Sequence, residues 1–335
     1  MSADILRDPE YLPFQLDPAA GRVLFVRLNA QQRDDAAFLD QRALPQNPEG
    51  AWLPLSMLEA QPPPHGAADA DAIFHIGHCG STLLSRLLQS WPEVESLREP
   101  LPLRTLAGHW PAPASAAVLS RLMPCWRRPL PPRTRVAIKA TSSCNILIEP
   151  LLSTNNIQRA VLLDMPLEPW LATLLKSEDS LRDATAANDG RATVLHAHGI
   201  ALDAQTRPSD IVEACAMGWL AEQLRFDALA RGEDAGRVLR VDFEDLLASP
   251  EAVLTRIAGH LALSIEGVAH ALDAPAWKRY SKAQQHGYGR EDRDHDLALA
   301  KQRFAMRIAA GRAWVERLTQ RYPQPFATIE RLRFV

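Results

Sequence analysis

The segment His75-Ile-Gly77-His78-Cys79-Gly80-Ser81-Thr82 has the residue types and spacing to hold an anion. Two glycines three residues apart let the backbone curl so that successive amide N–H groups converge. The start of a helix adds unpaired donors and the positive end of the peptide dipole. Ser81 and Thr82 bring hydroxyl donors to the first turn, and the whole suits a phosphate group. It is not a Walker A loop, which needs a glycine five positions before Gly80 and a lysine directly after it. His75 and Ser81 stand in those places. The same residues would also make a tight strand–helix turn in which Ser81 only caps the helix. The turn taken alone leaves both readings open. The Cys79 thiol sits where a helix dipole can lower a thiol pKa. No Cys/His/Asp spacing makes it a nucleophile, so it reads as a small loop residue.

The elements around the turn must place it at the mouth of a sheet. Residues 72–76 form a short apolar run before Gly77, and 81–89 repeat leucines (Leu83, Leu84, Leu87, Leu88) on one helical face. Further strands are expected at 135–138, 160–163 and 238–241, with helices at 145–152, 167–176, 243–247 and 251–261. Strands alternating with helices give an α/β fold, a parallel sheet with helices on both faces. Residues 209–231 and 294–322 each read as one long amphipathic helix, and 178–208 as a polar, irregular lid or loop. Residues 1–66 form a small N-terminal annex with short strands at 22–28 and 51–55. It closes on a proline-rich linker at 61–66, and the α/β domain then spans 67–335.

Composition narrows the classes. The 335 residues carry 37 Lys and Arg against 40 Asp and Glu, a formal net charge of -3, so a duplex-DNA binder with its basic excess is not expected. At 47% hydrophobic and 23% charged, the chain has the balance of a globular protein with one substantial core. No apolar run reaches the ~20 residues of a membrane helix, and no signal-peptide core is visible. The cysteines Cys79, Cys125, Cys144 and Cys215 form no CxxC pair and no zinc spacing. Neither a disulfide framework nor a metal site is expected, and the cytoplasm is the expected compartment. Only five basic residues are lysines, which draws notice to Lys139 at the end of a strand, where open α/β sheets bind ligands.

Four segments taken in order carry a resemblance: Gly80-Ser-Thr-Leu-Leu84, Leu97-Arg-Glu-Pro100, Ile138-Lys-Ala-Thr141 and Val238-Leu-Arg-Val-Asp-Phe-Glu-Asp-Leu-Leu-Ala-Ser-Pro250. Together, over roughly residues 72–290, the sequence resembles the bacterial branch of the sulfotransferase superfamily, itself similar to tyrosylprotein sulfotransferases. The resemblance implies a P-loop-like fold that binds 3′-phosphoadenosine-5′-phosphosulfate (PAPS). It also implies transfer of the sulfuryl group to a hydroxyl or amine of a small-molecule or peptide acceptor. Gly77, His78, Cys79, Gly80, Ser81 and Thr82 would cradle the 5′-phosphate. His78 stands where the family has Lys or Arg, Glu99 where it has a catalytic glutamate, and Lys139 would stabilise charge on the transferring group. Glu99→Gln is expected to leave stability nearly unchanged.

Two departures stand out. Asp164 occupies the place of an arginine, and Ala172 falls near the place of a serine, that in the family hold the 3′-phosphate. An aspartate there would repel it. Thr173, Lys176 and Arg182 are the substitutes within reach along the chain, and Gly287-Tyr-Gly289-Arg290 is the nearest match to the family's C-terminal basic clamp. These departures keep a second reading in play: a non-catalytic family member that binds a phosphorylated ligand or a peptide. A P-loop kinase is disfavoured by the missing Walker lysine.

Overall fold

The computed structural model describes residues 2–59, 68–327, 329 and 332–334, and the strands among them fall into two sheets. β1 (Tyr11–Asp17), β2 (Arg22–Arg27) and β3 (Gly50–Pro54) make a small antiparallel sheet in that order. β4 (Ala70–His75), β5 (Val94–Arg98), β6 (Arg135–Lys139), β7 (Ala160–Asp164) and β8 (Val238–Asp242) make a parallel sheet ordered β5-β6-β4-β7-β8. β4 lies at the centre. The chain leaves it toward β5 on one side and later returns to β7 on the other. That reversal opens a crevice beyond the carboxyl end of β4, where open α/β sheets bind ligands. Each connection between successive strands of this sheet runs through at least one helix.

Strand composition follows burial. Every residue of β4 and β7 is buried, and both read as nearly unbroken apolar runs, as strands covered on two faces do. β5 breaks that rule: Val-Glu-Ser-Leu-Arg is also buried throughout. Its polar side chains are matched inside the fold, those of Glu95 and Arg98 by partners some 60 residues away. Glu95 pairs with Arg33 at 2.6 Å, Ser96 Oγ meets Ser85 Oγ at 2.7 Å, and Arg98 donates to the carbonyls of Arg33, Asp34 and Ala36. These contacts fasten the N-terminal residues to the edge of the parallel sheet, and the small sheet shares its apolar core.

Several elements differ from the sequence reading. Residues 178–208 contain two helices, Glu178–Thr185 and Asn188–Ala197, packed on the long helix Ile211–Arg231. Residues 294–322 are not one helix: Arg290–Arg303 and Ala305–Arg321 are separated at Phe304. The expected helix at 145–152 begins as a 3-10 turn, Ser142–Leu147, before the α-helix Ile148–Ser153. The strands β1 and β5 and the helices Leu101–Gly108 and Pro113–Trp126 were not anticipated. The linker at 61–66 and the boundary beside it lie outside the described residues. Among the described residues, no helix is long and apolar enough to cross a membrane.

Candidate functional site

The helix Ser81–Leu88 starts directly after the glycine turn, with Gly80 as its N-cap and no side chain capping it. Gly77, His78 and Gly80 all have positive φ (84°, 50° and 79°). A side chain at Gly80 would be excluded twice over, because a Cβ there would lie 2.0 Å from the Phe243 ring. Three buried neighbours pin the turn. The Gly77 amide donates to His75 Nδ1 at 2.9 Å, the Trp170 indole donates to the Gly77 carbonyl at 2.7 Å, and the Cys79 thiol points at the Leu163 carbonyl at 3.5 Å. His75 Nδ1 accepts, so its Nε2 donates to the Ala140 carbonyl at 2.8 Å. Burial pushes its pKa well below the ordinary value, and the ring is neutral. The Gly77 amide is thereby spent inside the fold. Among the described residues, the amides of His78 to Thr82 donate to no protein acceptor.

Cys79 differs from what a helix terminus suggests. Its side chain is sealed from solvent, and burial pushes the thiol up to about 12, outweighing the dipole. It supports the turn from beneath and does not line the cleft.

Lys139 ends β6 and is 1% exposed; its ammonium pairs with the Glu99 carboxylate. Glu99 follows β5 with φ of 52°, and its amide donates to the Lys139 carbonyl at 2.6 Å. Left-handed backbone at a non-glycine residue is strained and concentrates at functional sites. Burial lowers the Lys139 pKa, and Glu99 pulls it back up. The N-terminal annex completes this corner. The Leu39 amide donates to the Arg98 carbonyl at 2.7 Å, which brings Phe38 over the site. Arg42, Lys139 and Lys282 approach the Phe38 ring at 4.1, 5.3 and 5.8 Å from its centroid. His78 Nε2 lies 3.0 Å from Asp183 Oδ2, and this contact holds the Asp183 carboxyl below its usual range.

One cleft of about 990 Å³ contains the turn, Glu99 and Lys139. Thr173 and Lys176 line it as well, although Thr173 donates its hydroxyl to the Pro169 carbonyl and Lys176 pairs with Asp296 at 3.4 Å. Arg182 does not line it; its guanidinium faces solvent between Glu178 and Asp179. Asp164 and Ala172 are also absent from the walls. Arg240 holds the buried Asp164 at 2.6 Å, so its charge is met inside the fold and does not confront a ligand. Its register partner Asp242 pairs with Arg333 at 2.7 Å, and burial next to Asp164 pushes its pKa up to about 6.

Among the described residues, ten Arg and Lys line the cleft against five Asp and Glu, an excess of about five positive charges in a chain whose formal net charge is -3. Among the described residues, Arg104 and Lys282 make no ion pair. Sequence reasoning missed Phe38, Arg191, Glu222 and Arg225, which lie in the walls. The Gly287-Tyr-Gly289-Arg290 segment does reach the rim through Tyr288, Gly289 and Arg290. Among the described residues, no cluster of three His, Cys, Asp or Glu could hold a metal ion.

No protein-family profile matches this sequence, and no curated protein matches it. Among solved structures, the chain is similar to the sulfotransferase domain from the curacin biosynthetic pathway, with 14% identity, a TM-score of 0.38, and coverage of 70% of this chain and 89% of that one. It is also similar to the sulfotransferase domain from the Synechococcus PCC 7002 olefin synthase (17% identity, TM-score 0.39, 73% and 98% covered). A third similar structure is the sulfotransferase STF1 from Mycobacterium tuberculosis H37Rv (18% identity, TM-score 0.36, 71% and 76% covered).

Proposed function

We propose that this cleft binds PAPS and transfers its sulfuryl group to a hydroxyl or amine of a small-molecule or peptide acceptor. The observation that carries the reading is the meeting of free amides, buried lysine and strained glutamate in one positively charged cleft. The residues fit a polyanionic nucleotide. Gly77 and Gly80 keep the cradle open, the amides of His78 to Thr82 are unspent, and Lys282 and Arg104 bring unpaired charge.

The bound nucleotide would supply an electrophilic sulfuryl group, and its bisphosphate would depart with the electron pair of the broken sulfur–oxygen bond. The chain's own residues then have three tasks. The amides and the hydroxyls of Ser81 and Thr82 hold the 5′-phosphate in place before charge builds on it. Lys139 and His78 face that charge with an ammonium and an imidazole N–H. Glu99 takes the proton that the acceptor oxygen or nitrogen loses.

A specific observation favours the non-catalytic alternative: Glu99 is already engaged by Lys139, and His78 by Asp183. Calorimetry with adenosine 3′,5′-bisphosphate and ADP, followed by transfer assays with labelled PAPS, separates the readings. On the transfer reading the bisphosphate binds tighter than ADP, and Glu99→Gln loses roughly 10²–10⁴-fold in rate. Equal affinities, or none at millimolar nucleotide, would defeat the PAPS assignment. Tight bisphosphate binding with no turnover across phenol, alcohol and amine acceptors would leave the binder.

A further inference from the structure

We propose that Arg191 and Arg225 form a second anion subsite in the cleft, one that takes a carboxylate, sulfate or phosphate carried by the acceptor. Assigning that anion to an acceptor rests on the transfer reading above; the subsite itself does not.

The helix Asn188–Ala197 presents Arg191, and the helix Ile211–Arg231 presents Glu222 and Arg225. All three are more than nine-tenths buried, yet all line the cleft. Arg191 Nε donates to Glu222 Oε1 at 2.8 Å, while Arg225 Nε lies 3.4 Å from Glu222 Oε2 without a well-directed hydrogen bond. One carboxylate therefore faces two guanidinium groups, and one positive charge is left over. Arg225 Nη1 donates to the Asn145 carbonyl at 2.7 Å, and Arg191 Nη1 to the Ala184 carbonyl. Among the described residues, neither Nη2 has a protein acceptor, and neither is sealed from the cleft. Removing an arginine's charge from water without full pairing is costly. Here the missing partner is an oxyanion, which the planar fork of a guanidinium suits.

The surroundings are built to keep this geometry. Gly218 lies one turn before Glu222, and a Cβ there would stand 3.2 Å from Arg191 Nη1. Asn145 donates to Glu222 Oε2 at 3.0 Å and to the His75 carbonyl at 3.1 Å. The network thus abuts the residue whose ring fixes the glycine turn. An anion held by the two arginines shares the cleft with Glu99 and Lys139, so its parent molecule can present a hydroxyl or amine to them.

The test is a calorimetric titration of inorganic phosphate at constant ionic strength, with and without saturating adenosine 3′,5′-bisphosphate. It is applied to the full-length protein and to Arg225→Gln, Arg225→Lys and Glu222→Gln. We expect phosphate to bind with the nucleotide present, at least tenfold more weakly in Arg225→Gln. In Glu222→Gln, which removes the internal counter-charge, binding should be at least threefold tighter. A merely structural network would be damaged by both changes in the same direction. Should Arg225→Gln not fold, Arg225→Lys and Glu222→Gln decide alone: the first weakens binding and the second strengthens it. Phosphate affinity unmoved by these variants, or weakened in Glu222→Gln, overturns the proposal. So does displacement of phosphate by the nucleotide, which would assign the arginines to the donor. If the nucleotide itself does not bind, the PAPS reading fails, and the opposite responses of the variants still decide the subsite.

Discussion

Glu99→Gln tests how the site stores charge as well as how it reacts. Lys139 is 1% exposed and its ammonium pairs with Glu99, so the amide would leave a buried cation without its counter-ion. Removing one partner of a buried ion pair costs about 3–5 kcal/mol. The lysine has an escape that sets a ceiling. Bringing it from its ordinary pKa near 10.4 to neutrality at pH 7 costs about 4.6 kcal/mol, at 1.36 kcal/mol per pH unit. The expectation that an isosteric amide is harmless therefore gives way to a loss of roughly 3 to 4.6 kcal/mol at pH 7. The pH dependence has a definite sign. Burial already lowers the Lys139 pKa in the native protein, and losing Glu99 lowers it further. Between that lowered value and about 10.4, the unfolded chain binds a proton that the folded variant does not. Its stability then rises with pH by up to about 1.4 kcal/mol per unit. The wild-type protein shows this rise only over a narrower window at higher pH. Urea unfolding from pH 7 to 10, with Glu99→Gln/Lys139→Met as the control that removes the orphaned charge, measures it. A Glu99→Gln protein within 1 kcal/mol of wild type at pH 7, with no added rise toward pH 10, would refute the reasoning.

Gly80→Ala combines left-handed backbone with a clash against Phe243. It should cost about 2–5 kcal/mol, from ~1–2 for the backbone and ~1–3 for overpacking. A double mutant with Phe243→Ala, followed by denaturation, should show less than the summed loss. Arg33→Met leaves Glu95 buried and unpaired, and should cost about 3–5 kcal/mol in denaturant unfolding. Losses under 1 kcal/mol would mean that the joint between annex and sheet lies elsewhere. All four cysteines are buried, and burial raises the Cys79 thiol to about 12. Ellman's reagent at pH 8 should therefore label none of them before unfolding, and rapid labelling of Cys79 would contradict the packed turn.

What the sequence made legible was whatever local pattern governs. β4, β6, β7 and β8 are short runs rich in apolar residues, and the glycines after β4 mark a turn. β5 escaped because Glu95, Ser96 and Arg98 read as surface residues until Arg33, Ser85 and the carbonyls of 33–36 are brought to them. The helices in 178–208 were hidden for a related reason. Few of their residues are apolar, and Arg191 fills an interior place usually taken by a hydrophobe. Glu222 and Arg225 sat on a stretch expected to be an amphipathic helix, where charges are ordinarily solvated; the helix Ile211–Arg231 forms, but it is buried on nearly all sides, Glu222 and Arg225 included. Only the fold turns them inward. Asp164 shows the converse: a residue at a strand end met its partner Arg240 two positions before the end of the neighbouring strand, and so stood apart from the cleft.

The cations gathered on Phe38 set a timetable for biosynthesis. Arg33 reaches Glu95 across only 62 residues, and β5's ladder partner, β6, ends at Lys139, so the N-terminal segment can dock on this edge while more than half of the polypeptide is still unmade. Phe38 then waits. Lys139 arrives with that edge, roughly 100 residues after Phe38, and Lys282 about 240 after it, which at ~5–20 residues per second puts the last cation about 12–50 s behind the ring on the ribosome. A nascent chain arrested before Lys282 contains the N-terminal sheet residues, Phe38, Arg42 and Lys139, but only part of the charge that surrounds the ring in the finished fold. The order of translation thus separates acquiring a folded edge from acquiring a finished cleft.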